Sequence, residues 1–150
     1  MPQVCIVGEP GLDLRRELLS RETSRNALST HTLRAPFANS VAVETVSLGG
    51  AVSLLNDLNW YLVRFADEAL VLDTSISDEE WLSRDLARKV RDANLPPEET
   101  DVFLKVYGLE EGRLVEPLYV QRQDGEIPEY DLRDVDETVV VRVSAEEFRG

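Results

Sequence analysis

The chain has 150 residues, 43% of them hydrophobic and 30% charged, which suits one globular core and excludes wholesale disorder. Its 29 carboxylates outnumber 16 basic residues and leave a net charge of −13, which argues against nucleic acid as a partner. One cysteine and one histidine exclude internal disulfides and a Cys/His zinc site, and no apolar window is long enough for a membrane span.

The opening residues MPQVCIVGEPG lack a basic segment followed by a long apolar stretch, so no secretory signal is expected and a cytoplasmic location follows. Residues 3–8 (QVCIVG) form a short apolar run ending in glycine, the pattern of a buried strand. Cys5 lies inside it and reads as a small buried hydrophobe. After the turn Glu9-Pro10-Gly11, Asp13 can cap a helix reaching about Leu28, with Leu14, Leu18 and Leu19 on its apolar side. Arg15, Arg16, Arg21 and Arg25 alternate there with Glu17 and Glu22. His31 reads as a loop histidine, and residues 41–48 (VAVETVSL) as a second strand.

Gly49-Gly50 opens a segment in which Leu48, Val52, Leu55, Leu58, Leu62 and Phe65 recur at helical spacing. A helix over about 50–66 is expected, with a hairpin across 59–73 as the alternative. Residues 70–73 (LVLD) read as a third buried strand. Ser77 and Glu80 make a capping box for a helix over about 78–93, which Pro96-Pro97 ends. The period then changes. Residues 102–107 and 114–121 read as strands joined around Glu110-Glu111-Gly112, with Pro117 implying an edge or bulge. Residues 138–143 (TVVVRV) are a last strand.

Strands alternating with helices predict one α/β domain over residues 1–150. The expected fold is three-layered, with a mainly parallel sheet and three crossover helices (βαβαβα) in residues 1–95. A β-hairpin and final strand in 96–150 would extend the same domain.

Such a sheet binds ligands at the carboxyl ends of its strands. Those ends carry Glu9 and Gly11, Gly49 and Gly50, and Asp73 and Thr74, which would share one cleft for a phosphate or other small anion. Glu9 and Asp73 could add a magnesium ion or general base. No nucleotide fingerprint is present, and glycines at such turns also serve backbone geometry alone. A second candidate is Asn56, Asp57, Asn59, Trp60 and Tyr61, polar and aromatic residues that conflict with the surrounding helical pattern and could anchor a partner. A third, Glu129, Asp131, Asp134, Asp136 and Glu137 with Tyr130 and Arg133, reads as a solvated acidic loop and not a metal site. No triad, elbow or zinc-helix signature exists, so no catalytic residue or cofactor is assigned.

The charge is uneven: residues 1–66 are neutral and 67–150 carry the whole excess. Lysine occurs only at Lys89 and Lys105. Many carboxylates and few lysines suit a surface evolved for high salt. The segments VETVSLGGAVSLLNDLNWYLVRF (43–65), EWLSRDLA (80–87), LKVYGLEEGRLVEPLYV (104–120) and PEYDLRDVDETVVVRV (128–143) resemble a small uncharacterised family of halophilic archaea. That resemblance implies a salt-rich cytoplasm and carries over no activity. The expected function is a binding or regulatory module associating with a protein partner, or with its own copy, through the neutral first part. The alternative is a nucleotide- or phosphate-ligand protein, with magnesium-dependent catalysis as one form.

Overall fold

The computed structural model describes residues 1–129 and 137–150. Strand β1 (Gln3–Gly8) is the apolar run read from the sequence, and Val4 through Gly8 are all buried. Helices α1 (Leu14–Leu19) and α2 (Glu22–Leu28) follow, divided at Ser20-Arg21 where a single helix was expected. Asp13 caps α1 by accepting from the Arg16 N–H (3.2 Å). The buried Ser24 hydroxyl donates to the Leu18 carbonyl across the break, holding the two helices as a bent pair.

Next come β2 (Ser40–Glu44), α3 (Leu48–Asp57), α4 (Asn59–Phe65) and β3 (Ala66–Leu72). Residues 59–73 are therefore helix and then strand, not a hairpin. Asn56, Asp57 and Asn59 flank Leu58, where α3 gives way to α4. Short polar side chains compete with the helical backbone, so their clustering marks a break.

The helix expected over 78–93 begins later. Residues Trp81–Ser83 form a short strand, β4, and α5 covers Arg84–Arg91 with Ser83 as its cap (Leu86 N to Ser83 Oγ, 3.1 Å). Ser77 does accept from the Glu80 N–H (3.0 Å), but it closes a turn. Pairing of Leu70 with Ser83 and Val71 with Leu82 outweighs the local helical preference. Strands β5 (Phe103–Glu110) and β6 (Arg113–Gln121) make the expected hairpin, with Glu111 and Gly112 both at positive φ. Strand β7 (Glu137–Val143) leads into α6 (Ala145–Arg149), a helix absent from the sequence reading.

The sheet overturns the expected architecture. Its seven strands run in the order β2-β1-β3-β4-β7-β5-β6, and every pairing is antiparallel except β4 with β7. A mainly parallel βαβαβα layer is not formed. The reason lies in residues 9–39. Two short helices carry the chain out and back, so it re-enters the sheet where β1 left it, with Gly8 N–H donating to the Asn39 carbonyl (2.8 Å). Strand β2 must then run antiparallel to β1. Helices α3 and α4 together carry the chain back along the sheet, setting β3 parallel to β2 with β1 between them.

One face of the sheet (Val4, Ile6, Val41, Val43, Val71, Leu82) packs under α1 to α5 around Leu14, Leu18, Val52, Leu55 and Leu86. The opposite face (Cys5, Val7, Leu70, Trp81, Tyr107, Val141, Val143) closes on itself. Although β2 and β6 end the strand order, Ala38 N–H beside β2 donates to the Gly112 carbonyl at the tip of the β5–β6 hairpin (2.7 Å). The sheet is thus curled, with a second core inside the curl. Burial on both faces explains why β1 lacks the alternation that usually marks an antiparallel strand.

Candidate functional site

At one end of the curl, where β1 ends and β3 begins, lies a cavity of about 640 Å³. Val7 and Gly8 of β1 and the turn with Gly11 form one wall; Asp67 and Glu68 of β3 form another. Tyr107 of β5 and Arg113 and Leu114 of β6 close it from the hairpin. The mouth of a curled sheet is a common ligand position, because side chains from several strands converge there on space the core does not fill.

Asn39 builds the rim. At φ 53 its side chain turns back, accepting from Leu14 N–H (Oδ1, 2.9 Å) and donating to the Glu9 carbonyl (Nδ2, 3.1 Å). It ties the end of β1, the start of α1 and the start of β2 together.

The chemistry of the cavity centres on Glu68. Strand β4 pairs with β3 only at Leu70 and Val71, so Glu68 lies beyond the reach of that short strand. Lys105 and Tyr107, two apart on β5, face it across the inside of the curl. Lys105 Nζ pairs with Glu68 Oε2, and Tyr107 OH donates to the same oxygen (2.6 Å). Both Lys105 and Tyr107 are buried. Burial pushes the Tyr107 phenol far above its ordinary range, and the negative charge and hydrogen bond of Glu68 push it further. Tyr107 therefore stays a proton donor. Among the described residues Glu68 Oε1 accepts no hydrogen bond, which leaves it open to a ligand donor.

The expected single cleft is not formed. Gln3 pairs with both Glu44 and Leu72, so β2 and β3 end at the edge opposite Gly8. Glu9 and Gly11 sit at one edge; Gly49, Gly50, Asp73 and Thr74 follow the strand ends at the other, about 17 Å away along β1. Gly11 lines the cavity and Glu9 lies beside it. Gly50 N–H is bound by Ser47 Oγ (3.0 Å), and Asp73 Oδ1 accepts from Ser75 N–H and hydroxyl (3.0 and 2.7 Å). Glu9 and Asp73 cannot share a magnesium ion.

The polar–aromatic cluster is divided in use. Arg84 spans the helix break, donating to Asn59 Oδ1 (2.8 Å) and Asn56 Oδ1 (3.2 Å). Tyr61 is buried, whereas Asp57 and Trp60 are exposed. Trp60 lies under Arg64 (3.9 Å to the ring centroid) and Arg21 (5.3 Å). In the acidic loop, Glu129 and Glu137 are exposed, while Tyr130, Asp131, Arg133, Asp134 and Asp136 lie outside the described residues.

Elsewhere, Glu80 receives Arg122 and Arg142 (both 2.7 Å), and Arg142 reaches Thr100 Oγ1 (3.0 Å). This half-buried network joins the segment before β4 to β6 and β7. Among the described residues no three His, Cys, Asp or Glu side chains gather to hold a metal ion.

Sequence reasoning missed Glu68, Lys105, Tyr107 and Arg113. One signal was available: Lys105 is one of two lysines in the chain and interrupts an apolar strand, FLKVYGL.

A family model described as a family of unknown function (DUF5804) matches residues 2–109. The chain belongs to that family. The DUF5804 match includes Glu68, Lys105 and Tyr107 and stops before Arg113. No curated protein and no solved structure matches the chain.

Proposed function

We propose that this DUF5804 chain is a small-molecule binding module whose polar ligand occupies the mouth of the curled sheet. The observation that carries this reading is Glu68, held from one side by Lys105 and Tyr107 and facing a cavity large enough for a metabolite-sized ligand. A charged group inside a protein is costly unless it is paired, and here the pairing is arranged at a cavity wall and not in the filled core. The ligand replaces water against donors and acceptors already fixed in place.

The test is amide chemical-shift mapping with a panel of small polar metabolites. Binders are expected to move Gly11, Tyr107 and Leu114, and Leu114→Trp, which puts a larger side chain into the cavity wall, is expected to weaken binding and reduce the shifts of Gly11 and Tyr107. A panel in which no compound perturbs these three residues removes the proposal.

The α4 surface favours a second reading, association with a protein partner or a second copy. Trp60 is 47% exposed and Val63 69% exposed, one turn apart on the same helix. Light scattering with and without Trp60→Ala tests the self-associating form; identical monomers exclude it. The excess of carboxylates, with lysine at two positions, supports a salt-rich cytoplasmic setting for either reading. Stability that rises with KCl up to molar concentration would support it, and stability independent of KCl would overturn it.

A further inference from the structure

We infer that the ligand of the mouth cavity is a zwitterion of the amino-acid class, with its carboxylate on Arg113 and its ammonium on Asp67. This deepens the small-molecule reading and rests on it.

The charges at the cavity are not equivalent. Lys105 pairs with Glu68 through Oε2, and exposed Asp13 accepts from the Arg16 N–H at the first turn of α1 while keeping its negative charge on the acidic side of the cavity. Two further charged groups, both exposed to solvent at the cavity mouth, line it from opposite sides. Among the described residues, neither the Arg113 guanidinium nor the Asp67 carboxylate makes a side-chain hydrogen bond or ion pair, with each other or with any other group, although both line the same cavity. They come from different walls, Arg113 from the start of β6 and Asp67 from the start of β3.

A simple anion would gain Arg113 but would sit against Asp67, and a simple cation would meet the reverse. A ligand carrying both charges satisfies each without a net penalty. The guanidinium fork suits a carboxylate, which it can hold with two parallel hydrogen bonds. Asp67 accepts from an ammonium, and the open Glu68 Oε1 gives that ammonium a second acceptor. Val7, Leu12 and Leu114 leave an apolar stretch of wall for the side chain.

The experiment titrates the intact protein, in KCl sufficient for its native circular dichroism, with the twenty free amino acids. Their N-acetyl derivatives (anions) and carboxamides (cations) serve as controls, and Tyr107 and Leu114 amide shifts are the readout. One or more free amino acids are expected to bind at least about tenfold more tightly than either blocked form, since each lost charge-assisted contact weakens binding by that order. Arg113→Gln should erase the difference between the free acid and its amide; Asp67→Asn should erase that between the free amine and its acetyl form. Blocked and free forms binding equally would overturn the zwitterion while leaving the cavity reading intact. If neither these compounds nor the broader metabolite panel move Tyr107 and Leu114, both readings fall.

Discussion

Gly8 and Asn39 meet with no room to spare. The Gly8 N–H donates to the Asn39 carbonyl at 2.8 Å, and a Cβ built on Gly8 would lie 2.6 Å from Asn39 Nδ2 and 2.7 Å from Leu14 Cβ. This contact returns the chain to the edge it left, making β2 antiparallel to β1, and it shapes the cavity rim. Gly8→Ala is expected to destabilise the fold by about 1–3 kcal/mol through overpacking. Urea unfolding should show a lower midpoint with an unchanged slope; an unchanged midpoint would mean that the junction relaxes freely.

The Lys105–Glu68 pair predicts an asymmetry. Lys105→Met leaves a carboxylate inside the curl without its cation and should cost about 3–5 kcal/mol. The double variant Lys105→Met, Glu68→Gln removes both charges and should recover much of that loss. A double-mutant cycle with coupling near zero would show that the pair contributes nothing.

Glu80 predicts a pH dependence. Burial alone would raise its pKa, but the hydrogen bonds and charges of Arg142 and Arg122 prevail and hold the carboxyl below its ordinary range. A carboxylate whose folded pKa is depressed adds stability above its unfolded value, near 4.3, and loses it as pH falls through the folded value. The stability difference between wild type and Glu80→Gln should therefore be constant near neutrality and shrink on acidification below about pH 4.3. A difference that grows on acidification would reverse the assignment.

Cys5 is fully buried in β1, and burial pushes its thiol up to about 12, against a smaller opposing effect from Ser40. The thiolate, not the thiol, is the nucleophile. A thiol reagent at pH 8 should leave the native protein unlabelled and modify one cysteine after denaturation. Rapid native labelling would contradict the packing.

Much of the local structure was legible. The run QVCIVG, the helical spacing through Phe65, the turn at Glu111-Gly112 and the strand TVVVRV each carry their own signal within a few neighbouring residues. Errors arose where a distant partner outweighed the local preference. Trp81–Ser83 follows the sequence pattern of a capping box yet joins the sheet, because β3 and β7 lie on either side of it. Asn56 and Asn59 were legible as an anomaly, but Arg84, which gives them their partner, lies a helix and two strands further along.

By itself the sequence determined the charge, the single buried thiol, the order of most elements and the position of Gly11 in a turn after β1. Those properties follow from composition, or from residues close enough along the chain to dictate one another's backbone. Strand direction, the curl and the cavity belong to the tertiary structure. Whether β2 runs with β1 or against it depends on where residues 9–39 return, and that is decided when Asn39 packs on Gly8. Glu68, Lys105 and Tyr107 become one site only because the curled sheet brings β5 over β3, joining residues 37 and 39 positions apart.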